Sequence, residues 1–278
     1  MDRLEAFRSI AAQANKGEIT FSSNINATLK VKQLLDDPDT HLASATKLVL
    51  ADPLFSARTV AIANSAAYNR TGTKINNVTT AVMRLGFGTL RSLAISLIVR
   101  QMNSGISDPA IRQKSVELWE HTACVAALAH VIARRMTRID PDTALFAGIV
   151  HEVGGFYLLS RSDEFPGLLD GELEGWVEYG EKIIGRGVLK ALEIPDVICE
   201  GIEAVWVGHG AQPPVTLGDV LILANDLATT LSPLQPASEL AIRDEATRID
   251  FAVGDETLSS ILDDATEQIE SLREALLN

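Results

Sequence analysis

The stretch Leu145-Phe146-Ala147-Gly148-Ile149-Val150-His151-Glu152-Val153-Gly154-Gly155 decides how this sequence reads. An apolar run meets two adjacent side chains able to bind a metal, and two glycines follow. A buried charge without a partner is strongly destabilising, so a histidine and a carboxylate at the end of a buried helix must be liganded or hydrogen-bonded. The pair is therefore a metal site or the remnant of one. Just upstream, Asp140-Pro141-Asp142-Thr143 supplies helix-starting residues, which puts the pair at the far end of that helix.

Outward from this stretch the apolar spacing is helical. Leu4, Phe7, Ile10, Ala11 and Ala14 mark a short amphipathic helix that Gly17 stops. Thr28 to Leu35 leads to Pro38, which breaks the pattern, and Asp39 or Thr40 is expected to cap the helix carrying Leu42, Ala45, Leu48 and Val49. Asp52-Pro53 repeats the device, with Leu54, Ala57, Val60 and Ala61 expected to face inward. A polar loop from Tyr68 to Asn77 precedes Val78, Ala81, Val82 and Leu85, after which Gly86 and Gly88 let the chain turn into a second apolar series from Leu90 to Ile98.

A long pattern from Ile111 to Met136 carries His121 and His130, whose separation places them on opposite faces of one helix. They cannot share a site, and His130, near Arg134 and Arg135, reads as a surface residue. Beyond the decisive stretch, Ser160 to Gly175 is a polar connector. Trp176 to Leu192 is helical, and a further helix runs from Pro195-Asp196 towards His209. Leu217 to Leu231 is expected to be one apolar helix holding Asp226, a carboxylate that needs a partner there.

Ser232-Pro233-Leu234-Gln235-Pro236 is the best boundary, and an acidic tail follows. In it Leu258, Ala265 and Leu272 form one seven-residue series and Leu262, Ile269 and Leu276 another. This seam is expected to pack on the chain's own body, with a homodimer as the alternative. No strand signal occurs, so the fold is expected to be all-α.

Composition narrows the function. A net charge of −13 disfavours a nucleic-acid binder, which needs a basic stripe to displace counterions from phosphates. A protein or small-molecule partner is expected instead. Cys124 and Cys199 stand far apart in apolar helical surroundings and read as reduced core residues. The N-terminus lacks a basic region followed by a long apolar one, and no charge-free run reaches the length of a membrane span, so the expected location is cytoplasmic.

The inward-facing polar residues His121, His151, Glu152 and Asp226 offer two imidazoles and two carboxylates, a set suited to a divalent ion such as iron, manganese, zinc or magnesium. Asn64 and Ser65 have two readings. Their side chains can hydrogen-bond the local backbone and stop a helix, or they can belong to a binding surface.

Taken in order, several segments resemble the HDOD family, the HD-related output domains of bacterial signalling proteins. They are Asp52-Pro53-Leu54-Phe55-Ser56-Ala57-Arg58 through Ala63-Asn64-Ser65-Ala66-Ala67-Tyr68, Ile75 to Ala81 with Leu85-Gly86, Leu118-Trp119-Glu120-His121, Phe146 to Gly154, Leu192-Glu193-Ile194-Pro195, and Ala224-Asn225-Asp226. The family is related to the HD metal-dependent phosphohydrolases. The resemblance implies an all-α, HD-like bundle in two packed helical subdomains. It divides the chain into an N-terminal helix (1–23), an HDOD-like domain (24–231, with subdomains 24–103 and 104–231) and an acidic helical extension (232–278). It also makes His121, His151, Glu152 and Asp226 the counterparts of the HD metal ligands, with Glu181 and His209 as further candidates.

The departures are equally informative. His151-Glu152 stands where an active HD enzyme has His-Asp, and Gly155 stands where many such enzymes place a phosphate-facing lysine. Glu181 replaces a common histidine, His209 is followed by Gly210 rather than a second histidine, and the usual Leu-Pro opening is missing around Asn24 to Lys30. Misplacing reacting groups by about 1 Å can cost about a hundredfold in rate. The expectation is a non-catalytic or weakly catalytic signalling module that acts on a protein partner in trans. The alternative is a metal-dependent phosphohydrolase acting on a nucleotide or cyclic dinucleotide. A third reading is a sensor of a small anionic ligand, with Arg84, Arg91 and Arg100 as candidate lining.

Overall fold

Aspartate followed by proline starts three of the helices, and the cap geometry explains why. Asp52 Oδ1 accepts the backbone N–H groups of Leu54 and Phe55 at 2.8 and 2.9 Å, Asp108 Oδ1 that of Ala110 at 2.7 Å, and Asp140 Oδ2 that of Thr143 at 2.8 Å. Each following proline occupies a position whose own N–H would have no helical partner. The computed structural model describes residues 3–19, 21, 23–169, 176–234, 251–253 and 256–277.

In chain order the elements are α1 (Arg3–Asn15), α2 (Ser23–Asp36), α3 (Leu42–Leu50), α4 (Pro53–Asn64), α5 (Val78–Met102), α6 (Pro109–Met136), α7 (Pro141–Val150) and α8 (Val153–Ser160). A π-helical segment Trp176–Gly185 then leads into α9 (Arg186–Ala191), α10 (Asp196–Val205), α11 (Leu217–Leu227) and a last helix, α12 (Leu258–Leu277). Among the described residues the only strands are the two-residue β1 (Ala252–Val253) and β2 (Glu256–Thr257), paired antiparallel. The fold is all-α.

Two long helices organise the packing. The α5 helix, kinked at Gly86 where φ is +74°, gathers α2, α3 and α4 around it. The α6 helix gathers α7, α11 and α12, and α7 also touches α5, joining the two helical halves. The α12 seam packs on α6 and α4, with Leu258, Ala265, Leu272 and Leu276 buried, so the heptad pattern serves the chain's own body. Both α5 and the α7–α8 stretch are long and apolar enough to cross a membrane, yet 67% and 83% of their apolar windows lie buried inside the fold. Their apolarity is that of core helices. Cys124 and Cys199 are both free, the first buried and the second half-buried.

Four sequence expectations are corrected. Neither Asp39 nor Thr40 caps α3; His41 holds that position without a side-chain bond, because the Thr40 hydroxyl is donated to the Leu34 carbonyl at 2.6 Å at the end of α2. On α4 the inward face is Phe55, Arg58, Thr59, Ile62 and Ala63, one step round from the expected one, and Leu54 is 43% exposed. The α11 helix stops at Leu227, with Ala228 extended, since the backbone beyond it is drawn onto His121. Finally, His130 is buried rather than on the surface.

His130 belongs to a polar cluster that ties four segments together. Its Nδ1 donates to the Pro141 carbonyl at 3.2 Å and lies 4.0 Å from Asp142 Oδ1. Asp142 also accepts the Tyr68 hydroxyl and, at 3.2 Å, that of Thr89. Burial holds the His130 pKa below its ordinary value of 6.5, against the opposing pull of Asp142. The unfolded chain therefore takes up this proton first. The stability that His130 contributes is intact above about pH 6.5 and is lost as pH falls through and below that value. In urea titrations from pH 7 to pH 5, wild type is expected to lose stability more steeply than His130→Gln. Parallel slopes would contradict this assignment.

Candidate metal centre

The decisive stretch breaks where its chemistry begins. The α7 helix ends at Val150 and α8 begins at Val153, leaving His151 and Glu152 at the corner, both less than one-tenth exposed. Close packing sets the corner against α6. A Cβ on Gly148 would sit 2.5 Å from the Cα of Ala126, and one on Gly154 would sit 2.7 Å from the Cα of Gly185. With no side chain at Gly148, α7 lies directly on α6, which carries the fully buried His121.

His121 and His151 meet through their Nε2 atoms at 3.3 Å. Their other ring nitrogens are committed: Nδ1 of His151 to the Gly148 carbonyl at 2.7 Å, and Nδ1 of His121 to the Thr230 carbonyl at 2.8 Å. A carbonyl oxygen can only accept, so both Nδ1 atoms carry a proton, and both Nε2 atoms face into the cluster. Burial pushes the His151 pKa down to about 4, so this ring is neutral at pH 7. The His151 Nε2 lone pair can accept a hydrogen bond from His121 or serve as a metal ligand.

Glu152 completes the set, since one ligand atom from each of His121, His151 and Glu152 falls within 4.8 Å of the others. The residues fit a divalent ion. Two nitrogens each about 2.05 Å from a tetrahedral ion stand about 3.3 Å apart, and imidazoles oriented by backbone carbonyls are a usual feature of such sites.

Asp226, half-buried on α11, is not among the groups that converge within this distance. His209 is exposed on the turn after α10, with Nδ1 donating to the Val207 carbonyl at 3.0 Å. The Glu181 side chain lies outside the described residues. Asn64 is committed to backbone, its amide exchanging two 2.7 Å bonds with Ile75 across the loop, and the Ser65 hydroxyl is donated to the Ile62 carbonyl at 2.7 Å.

Sequence reading missed the cover of this centre. The segment from Ala228 to Leu234 follows α11 back over the cluster, giving its Thr230 carbonyl to His121 and burying Leu234 completely. A Cβ on Gly155 would lie 2.5 Å from Leu234 Cδ1 and 3.2 Å from Glu152 Oε2. The leucine thus fills the space over Gly155, beside the carboxylate, where the resemblance places a lysine in many enzymes. A buried apolar residue in a proline-rich boundary was the available signal.

A helical bundle with a His/His/Glu cluster at an interrupted helix defines an HD-like domain. The sequence matches the family model of the HD domain over residues 118–229 and that of the HDOD domain over residues 23–171. The chain belongs to the HDOD family.

Solved structures similar to it include a protein of Shewanella amazonensis SB2B provisionally named a metal-dependent phosphohydrolase, at 21% identity and TM-score 0.74, with 99% of both chains covered. An HDOD domain protein of unknown function from Geobacter sulfurreducens matches at 20% identity and TM-score 0.61, covering 98% of each chain. A protein of Marinobacter aquaeolei VT8, provisionally named a signal transduction protein, matches at 18% identity and TM-score 0.51, covering 99% of this chain and 65% of the other. At these identities the likeness establishes the fold. No curated protein matches the sequence.

Proposed function

We propose that this protein is a regulatory HDOD module that acts through a signalling partner in trans, and that its His121/His151/Glu152 centre holds a divalent ion for structure rather than turnover. One observation carries the reading: Leu234 is fully buried against Gly155 beside the Glu152 carboxylate, on the side where a substrate phosphate would need a cationic group. An apolar plug there excludes water and phosphate together. An ion in the centre would supply Lewis acidity and a positive charge beside the Glu152 carboxylate. His121 and His151 would hold it through Nε2 with Glu152 as the anionic ligand, and zinc, iron and manganese all suit such a set. The α3–α4 corner, with Leu50 58% and Leu54 43% exposed, offers the apolar surface a protein partner would use.

The second reading is a metal-dependent phosphohydrolase of the HD superfamily, acting on a nucleotide or cyclic dinucleotide. The convergent Nε2 pair favours it. That reading requires the segment from Ala228 to Leu234 to leave the centre.

Elemental analysis of protein purified without affinity-metal exposure, together with a phosphohydrolase screen on the metal-loaded chain, separates the two. The expected result is one divalent ion per chain, absent from His151→Ala, with no hydrolysis above background. Metal-dependent turnover that His151→Ala abolishes would establish the second reading, and a chain holding no ion would remove the structural role assigned to the centre.

A further inference from the structure

Apart from the HD-like centre, the protein gathers unpaired positive charge around one tryptophan. Trp119 on α6 lies with its ring centroid 5.9 Å from the Arg58 guanidinium and 5.8 Å from that of Arg100. Arg100 donates to the Leu277 carbonyl at 3.0 Å, and Arg112 donates to the Ser107 carbonyl at 2.9 Å. Among the described residues none of these three arginines has an ion pair, although the chain carries a net charge of −13. Arg58 is 1% exposed and its three side-chain nitrogens have no hydrogen-bond partner.

A cavity of ≈ 330 Å³ opens beside this ring, between the end of α5, the first half of α6, α8 and the last turn of α12. Arg100, Arg112, Trp119 and Phe156 line it, with the exposed Glu120 at its edge. Asn103 lines it too. That side chain is 7% exposed, and both its amide oxygen and its amide nitrogen lack a hydrogen-bond partner. A buried amide with neither end satisfied is destabilising unless something enters the cavity to meet it.

We propose that this cavity is a binding site for a small organic anion with a planar ring, of the size and chemistry of a nucleoside monophosphate. Arg100 and Arg112 supply charge-assisted donors for the phosphate, with the buried Arg58 adding to the local positive potential. Trp119 and Phe156, whose rings meet edge to face at 6.0 Å, give the base an aromatic wall. Asn103 presents a donor beside an acceptor, the pattern that reads an adenine edge through two hydrogen bonds. The volume falls within the range of small-ligand sites. The cavity lining shares no residue with the His121/His151/Glu152 cluster, and its occupation does not depend on the reading given to that centre.

The test is a titration of the full chain with AMP, followed by tryptophan fluorescence and calorimetry, with adenosine and inorganic phosphate as separate probes. AMP is expected to bind saturably and quench fluorescence, while adenosine and phosphate each bind at least about tenfold more weakly, since each lacks one set of contacts. Asn103→Leu and Arg112→Ala should each weaken AMP by about tenfold with the circular dichroism unchanged. Trp119→Phe should remove the quench while calorimetric binding persists. Chelator and His151→Ala should leave affinity intact. The proposal is overturned by absence of AMP binding, by phosphate binding as tightly as AMP, by unaltered affinity in folded Asn103→Leu, or by loss of binding on chelation.

Discussion

Gly148→Ala is expected to destabilise the protein by about 3 kcal/mol, in the upper part of the range for overpacked sites. By helix propensity alone the sign should be opposite, because alanine is favoured over glycine in a helix interior by about 1 kcal/mol. The contact decides against propensity. The new Cβ would stand 2.5 Å from the Ala126 Cα and 3.0 Å from its nitrogen, and backbone atoms of a buried helix cannot swing aside as a side chain can. The α7 helix would have to lift from α6, and the same movement would separate His121 from His151. A fall in melting temperature of about 6–12 °C should accompany the substitution, with a loss of any bound metal. An alanine variant as stable as wild type would mean that the α6–α7 contact is looser than its geometry.

Arg58→Met should have the reverse effect in the ligand-free protein, stabilising it by about 2 kcal/mol. The guanidinium is a buried charge without hydrogen-bond partners, and its attraction to the Trp119 face offsets only part of its lost hydration. Methionine keeps an unbranched, adaptable stem and removes the charge. Chemical denaturation with an unchanged m value is the measurement, and affinity for AMP should fall in the same variant. Destabilisation by Arg58→Met in ligand-free protein would mean that the guanidinium already has a compensating partner.

Both predictions turn on residues that sequence reading treats differently. Gly148 sits inside the apolar stretch that leads to His151-Glu152, yet nothing in its sequence neighbours reveals Ala126 on its far side. Arg58 lies in the most family-like segment, but the expected inward face of α4 was one step away, and a charge on a helix is ordinarily assigned to solvent. His130 was assigned there too, for the same reason, and is buried against Asp142 and Tyr68. Periodicity records which residues are apolar; it does not record which polar residues the tertiary contacts enclose.

The sequence by itself determined the all-α class, the Asp-Pro helix starts, the turn at Gly86, the free cysteines and the placing of His151-Glu152 at a helix end. These are local matters, fixed by capping, by glycine's access to positive φ and by apolar spacing within a few turns. The family also was legible, because its motifs follow one another along the chain. Only the tertiary structure decided that His121 meets His151, that Thr230 orients His121, and that Leu234 closes the space over Gly155. Each depends on where a distant segment lands once α6, α7 and α11 have packed, and that position is set by the close approach of helix surfaces rather than by any residue's own neighbours in the chain.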